Sequence, residues 1–213
     1  MDWEQWQLRF EQFLGQQMDG DAAHGLSHVR RVVQNATRLA EIEAAELAVV
    51  IPAAWLHDCV SVPKNSPDRP RASQMAAETA VSFLNAQNYP TQYLAAIAHA
   101  IAAHSFSANI LPQTIEAQVV QDADRLEALG AIGIYRCFAT GVAMGRPFYQ
   151  EKDPFCRERP PDDAAATLDH FYTKLLKLAG TMQTAAGREE AEQRSVFMQA
   201  YLDQLAAEIG LHV

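Results

Sequence analysis

Apolar residues in this chain recur at intervals of three and four, and almost nowhere at intervals of two. Trp3, Trp6, Phe10, Phe13 and Leu14 open the pattern; Leu26, Val29, Val32, Val33, Ala36, Leu39 and Ala40 repeat it after an Asp/Gly-rich turn at 19–21. A period near 3.6 gathers such residues on one face of a helix, whereas a half-buried strand needs strict alternation. The segment 44–60, containing ELAVVIPAAWLHDCV, is apolar on nearly every side. A helix of that kind belongs in the middle of a core, and Pro52 predicts a kink or break within it.

Further helices are predicted at about 71–88, 91–104, 114–129, 131–143, 163–178 and 184–209. Two irregular stretches interrupt them: SVPKNSPDRP (61–70), with three prolines in ten residues, and MGRPFYQEKDPFCRERPP (144–161). Abundant alanine favours helix over strand. No internal repeat appears, and no linker is long enough to separate two cores. The expected architecture is all-α, a single-domain helical bundle over 1–213 whose two irregular stretches could wall an active site.

Composition narrows the function. With 17 Lys and Arg against 26 Asp and Glu, the net charge of -9 argues against nucleic acid held along a basic face. The first twenty residues lack a basic start and an unbroken apolar run, and no stretch approaches the roughly 18 apolar residues of a membrane span. The three cysteines are odd in number and without CxxC spacing, as in a reducing compartment. A cytoplasmic protein is expected. GxGxxG, GxxxxGK[ST] and GxSxG are all absent.

The residues with chemistry sit on apolar helices. His57-Asp58 places an imidazole and a carboxylate side by side at the end of the most apolar segment, where burial without partners costs several kcal/mol. Two readings satisfy them: a His–Asp hydrogen bond capping the helix, or a bound cation. His28 lies beside Val29 and Val32, and QDADRLE (121–127) sets Asp122 and Asp124 in another apolar helix, where aspartate is a poor resident. One divalent ion could gather His28, His57, Asp58 and one of Asp122 or Asp124.

These residues resemble the HD-domain metal-dependent phosphohydrolase superfamily, whose signature is H…HD…D on a helical bundle. The match is His28, His57-Asp58 and Asp124. The surrounding texture is similar to the small single-domain bacterial branch: Asp21 to Val32, His99-x4-His104-Ser-Phe-Ser, Asp122 to Glu127, and Leu168 to Leu176. The resemblance covers about residues 20–180. It implies that the Asp before Arg-Leu, Asp124, is the ligand, with Asp122 behind it. Mn²⁺ is the expected ion for two imidazoles and two carboxylates, with Mg²⁺, Fe²⁺, Co²⁺ or Ni²⁺ also compatible. A second ion would need His99 or His104 to converge on the same pocket.

For the substrate, His104 stands at a helix end and is expected to face phosphate or move a proton. Lys64 and Arg69, in the loop after His57-Asp58, are expected to neutralise phosphate charge. Lys174 sits on an apolar helix, where it would snorkel or enter a polar cavity; the resemblance favours the cavity. Arg31 and Arg125 are expected to pair with neighbouring carboxylates, and His24 to be an exposed or orienting residue. The family resemblance implies hydrolysis of a phosphorus–oxygen bond in a small phosphorylated substrate, most simply a nucleotide. A (deoxy)nucleoside triphosphate pyrophosphohydrolase is the leading expectation. A nucleoside 5′-monophosphatase, or a non-catalytic nucleotide-binding module with a structural metal, is the alternative. The aromatic first helix could belong to the core or to a dimer contact, leaving monomer and homodimer both open.

Overall fold

A computed structural model describes residues 1–17, 25–62, 66–105 and 108–211. Within them all regular structure is helical and no strand occurs. Backbone contacts group the chain into two compact units, Met1–Asp124 and Arg125–Val213.

The first unit contains α1 (Trp3–Gln17), α2 (Leu26–Glu43), α3 (Leu47–Leu56), α4 (Ala72–Ala86), α5 (Leu94–His104) and most of α6 (Ile115–Leu126), which runs through the boundary. The apolar helix α3 is central, packed against α1, α2, α4 and α5, with every residue from Ala48 to Leu56 buried. The apolar stripe of α1 joins this core: Phe10 stacks on Trp55 with centroids 6.0 Å apart, and Trp6 meets the edge of Tyr89 at 4.8 Å. Thus Trp6, Phe10 and Leu14 are core residues.

Helix α3 continues through Pro52 where the sequence predicts a kink or break. Proline has no N–H to give the carbonyl four residues back, which here is Ala48. The buried Tyr89 hydroxyl donates to that oxygen at 2.6 Å, so the carbonyl that proline leaves open is served from 41 residues away. At its start, the Glu46 side chain accepts from the Ala48 N–H at 3.0 Å. The helix ends at Leu56, so His57 and Asp58 occupy the turn that follows.

The second unit holds α7 (Gly130–Ala143), α8 (Asp169–Thr173) and α9 (Ala185–Glu208), with α7 packed on α9. Gly130 starts α7 at φ +66°, a left-handed conformation suited to glycine, and a Cβ on Gly133 would lie 2.3 Å from the Ala128 carbonyl oxygen. The helix expected over 163–178 is replaced by α8, five residues long, and 3₁₀ turns at Leu175–Lys177 and Ala179–Thr181. Side chains divert its start. The fully buried Asp169 carboxylate accepts from Arg159 at 2.5 and 2.8 Å and from the Asp162 N–H at 2.7 Å. Asp163 accepts from Thr173 at 3.1 Å and meets His170 Nδ1 at 2.7 Å. Aspartate side chains that capture local donors compete with the helical ladder.

Candidate metal centre

The ends and faces of four helices bring the centre together within the first unit. His28 comes from the first turn of α2, His57 and Asp58 from the turn after α3, His104 from the last residue of α5, and Asp124 from α6. His57 Nδ1 lies 2.8 Å from the Ala54 carbonyl oxygen. A carbonyl accepts only, so Nδ1 carries the proton and Nε2 presents a lone pair. That Nε2 is completely buried and has no hydrogen-bond partner. It faces Asp58 Oδ2 at 3.5 Å and Asp124 Oδ1 at 3.8 Å. His28 Nε2 stands 3.4 Å from the same Asp124 oxygen.

Donor atoms of His28, His57 and Asp58 lie within 4.8 Å of one another, close enough to hold one metal ion. A buried imidazole nitrogen aimed at two carboxylates without a hydrogen bond is a costly arrangement for a protein alone. A divalent cation would satisfy it, and imidazole plus carboxylate is a suitable donor set. The residues therefore fit such an ion. The imidazoles are sealed at 1% and 0% exposure, whereas the Asp58 and Asp124 side chains keep 33% and 29%. The partial exposure of the two carboxylates gives a ligand and water an approach.

The electrostatics follow from this packing. Burial pushes the His57 imidazole below its ordinary value despite the attraction of Asp58. For Asp124, burial opposes ionisation but is outweighed by the His28 hydrogen bond and the surrounding imidazoles, so its carboxyl sits below the usual range. Burial also opposes protonation of His104, yet the hydrogen bond and charge of Asp58 prevail and raise it.

His104 converges on this cluster. Its Nε2 is 3.4 Å from Asp58 Oδ1, and its ring meets His57 edge-on with centroids 4.9 Å apart. Its Nδ1, like that of His57, is held by the carbonyl three residues back, Ile101 at 2.6 Å. His99 is engaged by the backbone, its Nε2 accepting the Gln113 N–H at 3.0 Å. Asp122 is fully buried. Arg69 donates to the Val62 carbonyl at 3.0 Å. Lys174, expected to enter a polar cavity, is instead exposed, directly after α8. Arg125, expected to pair with a carboxylate, donates to the Thr181 carbonyl at 2.5 Å. Lys64 and His24 lie outside the described residues.

Sequence reasoning passed over Gln121, Ser73 and the Arg159–Asp169 pair. Each makes its bond to a residue chosen by packing, and no spacing announces it.

A family model described as HD domain matches residues 25–129, which contain the whole cluster. YpgQ of Bacillus subtilis is 33% identical over 195 residues, 90% of this chain and 87% of that protein. The chain belongs to the HD-domain family. Among solved structures similar to it is that of YpgQ in complex with ADP, with a TM-score of 0.71 at 32% identity, covering 94% of this chain and 95% of that one. Another is a HD-superfamily hydrolase from Bacillus thuringiensis, with a TM-score of 0.72 at 32% identity and coverage of 95% and 97%. As an HD-domain protein, this chain is a metal-dependent hydrolase. Among the described residues, no single helix is long and apolar enough to cross a membrane.

Proposed function

We propose that this hydrolase cleaves a phosphorus–oxygen bond of a nucleotide, with (deoxy)nucleoside triphosphates as the leading substrates and pyrophosphate as a product. The observation that carries this reading is the buried, unpartnered His57 Nε2 facing two carboxylates that remain about a third exposed. The ADP complex of YpgQ supports a nucleotide ligand.

In this reading His28, His57, Asp58 and Asp124 hold one divalent ion, Mn²⁺ by preference. When bound, the ion supplies a Lewis acid that acidifies a water molecule and offsets charge developing on the phosphoryl oxygens. The Ala54 carbonyl keeps His57 in the tautomer a ligand requires. Asp122 supports Asp124 from behind, while Lys64 and Arg69 neutralise the remaining phosphate charge. His104, whose Nε2 lies 3.4 Å from Asp58 Oδ1, faces the phosphate or moves a proton. Water adds across the α–β phosphoanhydride: the α phosphorus gains its oxygen, pyrophosphate leaves, and the released proton passes to solvent. The protein acts in the cytoplasm, as monomer or homodimer, without nucleic acid or membrane as partner.

The test is turnover of a nucleotide panel by purified protein with Mn²⁺, Mg²⁺ or Co²⁺, following phosphate and pyrophosphate separately. Pyrophosphate from triphosphates, lost in D124A, is expected. Phosphate from monophosphates would assign a 5′-nucleotidase instead, and binding without turnover would assign a nucleotide-binding module.

A further inference from the structure

Helix α5 ends at His104, so its last carbonyls lie beyond the intrahelical ladder. Three side chains take up consecutive ones. His104 Nδ1 lies 2.6 Å from Ile101 O, Ser73 of α4 donates to Ala102 O at 2.9 Å, and Gln121 of α6 donates through Nε2 to Ala103 O at 2.7 Å. The atom facing a carbonyl oxygen must be the amide nitrogen, which settles the orientation of Gln121. Its Oε1 is buried without a hydrogen-bond partner, so this one bond holds the side chain.

Gln121 is 3% exposed and precedes Asp124 by three residues, on the same face of α6. Ala103 is the immediate neighbour of His104. One buried hydrogen bond thus joins the helix carrying Asp124 to the turn carrying His104, whose Nε2 lies 3.4 Å from Asp58 Oδ1. We infer that Gln121 is a positioning residue for the metal centre: it sets the separation of Asp124 from the His104–Asp58 side, and with it the geometry offered to the ion. The inference rests on the ion-holding reading of His28, His57, Asp58 and Asp124.

The probe is the metal alone. Mn²⁺ affinity is measured by titration calorimetry on metal-free protein, and the visible absorption of bound Co²⁺ reports coordination geometry. Q121L removes the donor at similar volume; Q121E keeps the shape but turns a carboxylate toward the carbonyl. Ser73→Ala is the comparison, since it uncaps the adjacent carbonyl without touching α6. Loss of an outer partner weakens a metal site by about tenfold or more. The expected result is a tenfold weaker Mn²⁺ affinity and an altered Co²⁺ spectrum in Q121L, a larger loss in Q121E, and neither change in S73A. Wild-type affinity and spectrum in Q121L would overturn the inference while leaving the metal centre intact. Equal losses in Q121L and S73A would also overturn it, by reducing Gln121 to a cap of α5. If the unmodified protein binds neither ion, the ion-holding reading falls and this inference with it.

Discussion

Tyr89→Phe tests how the core helix that ends in His57-Asp58 tolerates its proline. The hydroxyl donates at 2.6 Å to Ala48 O, and Tyr89 is 1% exposed. Burial pushes the phenol well above its ordinary pKa, so the donor is present at every working pH. Removing it leaves a buried carbonyl whose usual helical partner, the N–H of residue 52, does not exist. An unsatisfied buried polar group costs about 1–3 kcal/mol, and each kcal/mol lowers the melting temperature of a chain this size by roughly 2–4 °C. Y89F should therefore melt about 4–8 °C lower, taking about 2 kcal/mol as the central value. The same physics predicts non-additivity. Pro52→Ala restores an N–H within reach of Ala48 O, so Y89F should cost about 1 kcal/mol less in the P52A background. Thermal and urea unfolding of the wild type, both single variants and the double variant measure the coupling. An equal cost of Y89F in both backgrounds would refute the complementarity of Tyr89 and Pro52.

Metal should stabilise the folded protein by mass action, about 2.7 kcal/mol at a hundred times the dissociation constant, and D124A should abolish that increment in a thermal melt. A D124A variant that still gains stability from Mn²⁺ would remove Asp124 from the ion's ligands. In the second unit, burial of Asp169 opposes ionisation but is outweighed by hydrogen bonds from Arg159 and the Asp162 N–H, which depress its pKa. A depressed carboxylate contributes stability that is present above its unfolded value, near about 4, and lost as pH falls through the folded value. Arg159→Met should therefore cost about 3 kcal/mol at neutral pH, with the deficit shrinking in melts below about pH 4. A pH-independent deficit would show that Arg159 acts through packing alone.

Much of the fold was legible because helical burial writes a local period. The stripe Trp6, Phe10 and Leu14 and the all-round apolar α3 follow from spacing alone. The metal-centre residues were legible because polar groups on apolar helices must be satisfied, and His28, His57 and Asp58 do meet. Where local reasoning failed, a distant side chain had intervened. Pro52 does not break α3, and the carbonyl it leaves open is served by Tyr89; the helix expected over 163–178 shrank because Asp169 and Asp163 gather donors around its start. The roles expected for Arg69 and Arg125 rested on charge and position, and packing adds what neither could show: both guanidiniums donate to backbone carbonyls.

By itself, the order of residues determined an all-helical chain, its most buried helix, and which imidazoles and carboxylates needed a partner. Only the tertiary structure decided that His104 stands beside Asp58, that Tyr89 serves the carbonyl left open by Pro52, and that Ser73 and Gln121 close the end of α5. The division has a physical cause. Periodicity is imposed by the geometry of one helix and repeats along the chain, whereas a side chain capping a remote carbonyl answers to three-dimensional packing and leaves no period to read.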